Sequence, residues 1–278
     1  MRSILQANRY RYTRRKWLAS AILSAVMTAL LGVVITQLFV RLAPQLPQSA
    51  LDLLYANGYY NLGILRVSSL SDLNNLNWFE MLASSFRGGY LAMVLVIYIP
   101  VFIGGSFRSG AIQSALVRGH RRGKVLAAYA VTTAEIFAIV YFAHIASLSL
   151  FAAIIMRGSL LASPFWSCAF LILREFFAHG IFLAILLCSA FAFRRAMSTV
   201  VTLLFGIVGL PIFLNTIDVL AGGSGLLPKL WVVGFMQQLA GADVGNWAPG
   251  LIASLLTLGV FFLIAWILFI SYQFDADK

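Results

Sequence analysis

The sequence predicts an all-α integral membrane protein with six transmembrane helices, and three observations lead there. Of its 278 residues, 61% are hydrophobic and 10% are charged, against roughly 25% charged in a water-soluble globule. Mean hydropathy is +0.92. The apolar residues stand in runs of about 20, the length a helix needs to cross a bilayer core, and the basic residues stand at the ends of those runs. A chain this poor in charge cannot cover a water-facing surface. Lipid is its main solvent, and residues 1–278 read as one transmembrane domain.

The first span covers about 17–40 and holds no charge. Its 24 residues exceed the apolar core of about 7–15 in a secretory signal, and no small-residue cleavage site follows, so it is expected to stay in the mature chain. The second, about 90–105, is short, with Pro100 placed to kink it. The third, about 125–156, is long enough to tilt or to project beyond the membrane. The fourth covers about 166–193, the fifth 196–220 and the sixth 250–272.

Orientation follows from Lys and Arg. One side collects Arg2, Arg9, Arg11, Arg14, Arg15 and Lys16, then Arg108, Arg118, Arg121, Arg122 and Lys124, then Arg194, Arg195 and Lys278. The other side has Arg41, Arg66, Arg87, Arg157 and Lys229, and Arg174 lies within a span. Positive residues stay in the cytoplasm, so both termini are expected there and the two longer polar loops outside. The location expected is a plasma membrane, a bacterial one. The net charge of +11 does not point to nucleic acid, because the basic residues flank apolar runs instead of interleaving with aromatics.

The outer segment 41–89 holds Pro44, Pro47, Gly58 and the stretch Asp72-Leu-Asn-Asn-Leu-Asn77; it is too apolar for a free loop and too broken for a span. Short helices on the outer surface are expected. In 222–249, the apolar piece Leu227–Met236 is too short to cross and predicts a re-entrant or interfacial helix before the last span. The basic segment 1–16 predicts an amphipathic helix along the inner leaflet.

Several chemistries are missing from the sequence. There is no His-Glu-x-x-His for zinc, and Gly222-Gly-Ser-Gly225 lacks the closing glycine of a nucleophile elbow. Gly119-His-Arg-Arg-Gly-Lys124 is one residue short of a phosphate loop and has Val125 where a hydroxyl must meet magnesium. The chain is therefore expected to bind no cofactor and to hydrolyse no ATP itself. Cys168 and Cys188 have no metal or redox spacing and read as core-fillers. Asp275 and Asp277 read as a solvated tail.

Charges within apolar runs are costly and are usually paired or face the bundle interior. Glu135, Arg174 and Glu175 are candidates either for a polar lining of a translocation path or for a structural ion pair, for example Glu135 with Arg174. Glu175 and His179 are four apart and share a helix face, from which Arg174 points away. His144 and His179 read as histidines bonded to a neighbouring helix, and Asp218 as an interfacial residue.

The most specific stretch is Phe107-Arg-Ser-Gly-Ala-Ile-Gln-Ser-Ala-Leu-Val-Arg-Gly-His-Arg-Arg-Gly-Lys124. Ile112, Ala115 and Leu116 repeat at helical spacing, Ser106 or Ser109 can cap the start, and Gly119 can end it in a left-handed turn. A short amphipathic helix under two spans follows. Phe107, Arg108, Gly110, Ile112, Leu116, Gly119 and Arg122 resemble the loop after span 2 in ATP-binding-cassette export permeases, the type-2 family that exports or confers immunity to peptides and antibiotics. That pattern has Thr where Ala111 stands, Arg where Gln113 stands, and often an acid where Ser106 stands. The resemblance implies a membrane subunit without its own motor. It implies a second permease copy or a paired relative, and cytoplasmic ATPase subunits that bind ATP and magnesium. The loop helix, with Arg108, Gly110, Ile112, Gln113, Leu116, Gly119 and Arg122, would then couple to the ATPase, and the basic N-terminal segment would be an elbow helix on lipid. The alternative reading is a secondary transporter or a non-transporting membrane scaffold, though the paired repeats of many secondary transporters are not seen.

Overall fold

The computed structural model describes residues 2–14, 16–56, 59–62, 64–67, 69, 73, 76–156, 163–220, 227–240 and 248–270. Arg15, Asp72, Arg157, the Gly222–Gly225 stretch, and the tail with Asp275, Asp277 and Lys278 lie outside these residues.

Helix α1 (Arg2–Arg14) is amphipathic, and Ile4, Asn8 and Tyr12 form its buried stripe at four-residue spacing. Lys16 turns the chain in a left-handed conformation, φ 56°, into α2 (Trp17–Leu42). The buried seam of α2 is built of small residues, Ala21, Ala25, Ala29 and Gly32, while Leu23, Met27, Leu31 and Leu38 face outwards. Small side chains let two helix backbones approach in lipid, where the hydrophobic effect does not drive association. The partner of this seam is α7 (Arg122–Ile155), the longest helix of the chain.

Between α2 and α5 (Tyr90–Arg108) the chain is more varied than the expected surface helices. A 3-10 turn and α3 (Gln48–Leu54) lead into a three-stranded antiparallel ribbon, β1 (Tyr55–Ala56), β2 (Tyr59–Leu62) and β3 (Leu65–Val67). Ile64, between β2 and β3, packs on Gly32 and takes Thr36 Oγ1 as acceptor for its N–H at 3.0 Å. Then α4 (Trp78–Arg87) begins, capped by the Asn77 side chain accepting from Glu80 N at 2.9 Å. It is not a surface helix. Met81 to Phe86 are all buried, and α4 packs on α8 (Phe165–Phe193).

Helix α5 runs through Pro100 to Arg108, past the expected end at 105, and α6 (Ala111–Val117) follows it. Helix α8 packs on α5, α7, α11 (Val232–Leu239) and α12 (Ala248–Ile270). Where the sequence predicts a re-entrant or interfacial helix stands α11, eight residues long and buried through Val232, Val233, Phe235 and Met236. Among the described residues, five helices are long and apolar enough to cross a membrane: α2, α5, α7, α8 and α12. The chain is a helical, multi-pass membrane protein.

The fifth expected span is continuous but not uniform. Helix α9 (Ala196–Leu204) passes into a π turn over Phe205–Gly209 and then into α10 (Leu210–Leu220). Pro211 explains the turn. It has no N–H and its ring clashes with a carbonyl four residues back. The ladder therefore widens by one residue, and Leu210 N bonds to Phe205 O. Gly206 O then lacks a helical donor, since the residue five positions on is Pro211. The Trp231 indole N–H supplies one at 2.8 Å.

Candidate functional site

Two places gather the residues singled out in the sequence: the loop between α5 and α7, and the polar interior of the bundle around the middle of α8.

At the loop, Gly110 (φ 68°) and Gly119 (φ 81°) bracket α6 in the left-handed region, where an L side chain is strained. Gly119 N bonds to Leu116 O at 2.9 Å and His120 N to Ala115 O at 3.2 Å, which is a Schellman ending. The start carries no side-chain cap. Ser106 and Ser109 serve elsewhere: Arg11 donates to Ser109 Oγ at 2.6 Å and to Ser106 Oγ at 3.4 Å. This clamp between α1 and the loop was not visible in the sequence, where Arg11 is one of several basic residues in a row.

The apolar stripe of α6 is turned inwards. Ile112 is 0% exposed and Leu116 half-buried, both against the bundle. What α6 presents outwards is Gln113, Ser114, Val117 and Arg118, with Val117 87% exposed. Arg122 is directed to α12, donating to Phe269 O at 2.7 Å, and Arg194 donates to Leu268 O. Both arginines thus cover carbonyls of the last helical turn, where positive charge is favoured. Arg108 is exposed and lines a pocket of about 1060 Å³ with Trp17, Gln113, Arg194, Arg195 and Met197. No acidic residue lines that pocket, so it attracts anions.

Glu135 does not meet Arg174. Its carboxylate takes two bonds from Arg9 on α1, one of them from Nε at 3.1 Å, and a third from the Tyr12 hydroxyl at 3.3 Å. The Glu135 carboxylate in turn holds Arg9 above its ordinary pKa, and burial, with that carboxylate beside it, pushes the Tyr12 phenol up. Arg174 stands towards the opposite end of the bundle, lining a pocket with Asn77, Phe79, Ser163 and Pro164. No family model, curated protein or solved structure matches the chain. The site must therefore be read from its own chemistry.

The polar interior separates the two histidines. His144 Nδ1 lies 3.1 Å from Ala25 O, so it donates, and Nε2 accepts from Ser85 Oγ at 3.0 Å. Both nitrogens are satisfied by neighbouring helices, as expected. His179 is different: Nδ1 bonds to Glu175 O of its own helix at 2.9 Å, and Nε2 is buried without a hydrogen-bond partner. Both carboxyl oxygens of Glu175 are likewise buried and unpartnered, although Oε2 is 3.5 Å from His179 Nδ1. Asp218 caps the turn at Leu227, accepting from its N–H at 3.2 Å. Among the described residues no group of three or more His, Cys, Asp or Glu side chains could hold a metal.

Proposed function

We propose that the chain is the membrane-spanning permease subunit of an ATP-binding-cassette exporter. In this reading α1 is the elbow helix on the inner leaflet, Ala196–Leu220 adds a sixth crossing, and α11 is the re-entrant element before the last span. A second copy or a paired relative completes the translocation path at a dimer interface, and separate cytoplasmic ATPase subunits bind ATP and magnesium and do the hydrolysis.

The observation that carries the reading is α6. A seven-residue helix is bracketed by two left-handed glycines, fixed inwards by Ile112, and left with an outward apolar residue, Val117, on a basic face. A helix that transmits force needs both a rigid seat and a free contact face. The contact set for the ATPase is therefore Gln113, Val117 and Arg118, with Arg108 beside them, whereas Ile112, Gly110 and Gly119 hold the helix in place. Leu116 bridges the two roles.

The test is cross-linking from Val117→Cys in cells that express the whole operon or gene neighbourhood. The expected adduct is an ATP-binding-cassette ATPase, and Val117→Asp is expected to reduce ATPase co-purification by about tenfold, as for a contact-centre residue worth about 1.4 kcal/mol. Neither an ATPase adduct nor any loss of co-purified ATPase, with the protein inserted normally, would overturn the proposal.

A further inference from the structure

Glu175 and His179 are both 0% exposed, one turn apart on α8 and covered by α4 and α7. The His179 ring lies between Phe86, at 5.8 Å between centroids, and Tyr141, at 6.0 Å. An acid and a base are thus enclosed by aromatic walls, and three of their polar atoms have no hydrogen-bond partner. Buried polar groups are nearly always bonded, and an isolated buried charge is far more costly than an isolated neutral group.

The charged and titratable groups on the neighbouring helices are already used. On α4, Arg87 donates to Ala240 O at 3.1 Å and lies 4.0 Å from Glu80. On α7, the Tyr141 hydroxyl donates to Ile172 O at 2.6 Å, and His144 is bonded through both nitrogens. On α5, Tyr98 is bonded to Ser20 and Ser24, Arg108 is at the other end, and Tyr90 starts the helix. On α8 itself, Arg174 is turned to a separate pocket. Helices α9, α11 and α12 carry no ionisable side chain. Among the described residues no side chain hydrogen-bonds to the Glu175 carboxyl oxygens, and Arg174 and Arg87 act on that group through their charge alone.

We propose that Glu175 and His179 form an intramembrane proton site. In the packing described, Glu175 is a neutral carboxylic acid and His179 a neutral imidazole. The Glu175 carbonyl can only accept, so the imidazole hydrogen is on Nδ1 and the Nε2 lone pair is open. The O–H of a neutral carboxyl can be donated to a carbonyl one turn back, as the Ser189 and Thr133 hydroxyls do to Ile185 O and Tyr129 O. A carboxylate has no such outlet. When a movement of α4 off α8 admits water, the Glu175 O–H bond breaks, water takes the proton as hydronium, and the electron pair stays on the hydrated carboxylate. Proton exchange is thereby tied to that movement, whether or not the chain works with an ATPase.

The test is infrared spectroscopy of the full chain in lipid nanodiscs at neutral pH, with carbon-13 glutamate. The chain has three glutamates, and Glu80 and Glu135 both lie within 4.0 Å of an arginine. The expected result is a protonated-carboxyl C=O band that shifts with the label, persists in Glu80→Gln/Glu135→Gln and disappears in Glu175→Gln. Should Glu175→Gln fail to fold, the labelled Glu80→Gln/Glu135→Gln chain answers alone, because Glu175 is then its sole glutamate. Absence of a labelled protonated-carboxyl band there overturns the proposal. So does nitrogen-15 NMR showing His179, assigned by loss in His179→Asn, as imidazolium or as the Nε2–H tautomer.

Discussion

At the scale of single residues, the pairing of Glu135 shows what a sequence conveys and what it withholds. A glutamate in an apolar run announces that it needs a partner. Nothing in the sequence says that the partner is Arg9, 126 positions away, and not the arginine of another span. Arg9 is more than half exposed, so the pair contributes little to global stability and is screened by salt. Its effect is local, holding α1 on α7. Glu135→Gln is accordingly expected to speed tryptic cleavage within α1 a few-fold with the melting temperature little changed. Arg9→Glu combined with Glu135→Arg should restore resistance, and added salt should speed cleavage of the unmodified chain. Equal cleavage rates in Glu135→Gln and the unmodified chain would remove the pair from this role.

At the scale of elements, length and hydropathy made the long helices legible, and their ends fall within a few residues of expectation. Packing faces were not legible, because in a lipid-exposed chain both faces of a helix are apolar. The short elements misled for the opposite reason. Segment 41–89 mixes polar and apolar residues like a surface, yet α4 within it is buried against α8. The glycine pair in α5 is equally mute in sequence. A Cβ on Gly104 would lie 2.6 Å from the backbone N of Ala196 where α5 meets α9, whereas one on Gly105 would meet nothing within 4 Å. Gly104→Ala should therefore destabilise the folded protein by about 1–3 kcal/mol, the usual effect of overpacking. Gly105→Ala should be neutral or stabilising by a few tenths of a kcal/mol up to about 1 kcal/mol, through helix propensity. Denaturation in mild detergent compares the two. Equal effects would show that the α5–α9 contact is looser than described.

For the whole molecule, charge asymmetry is the strongest sequence signal, and the structure gives it definite positions to probe. With Cys168 and Cys188 replaced by alanine, a membrane-impermeant thiol reagent applied from outside should label Ser49→Cys, at the start of α3. It should leave Val117→Cys on α6 unlabelled until the membrane is opened. Labelling of Val117→Cys in intact cells would invert or break the expected topology. The loop motif was legible as a helix with glycine boundaries. The direction of its faces was not, since Ile112 and Leu116 look the same in sequence whether they serve the bundle or a partner.

Pro211 has a mechanical side as well. Each α-helical residue advances by about 100° around the axis, so the surplus residue in the π turn sets α10 out of phase with α9 by about that angle. Helix α9 lies on α5, and α10 on the Leu227–Leu230 turn. One helical run is thus geared to two neighbours, and the π turn between its halves is bonded to the Trp231 indole. Torsion delivered by α5 to α9 can be absorbed at Phe205–Gly209 before it reaches α10, so the two halves of the run need not turn together.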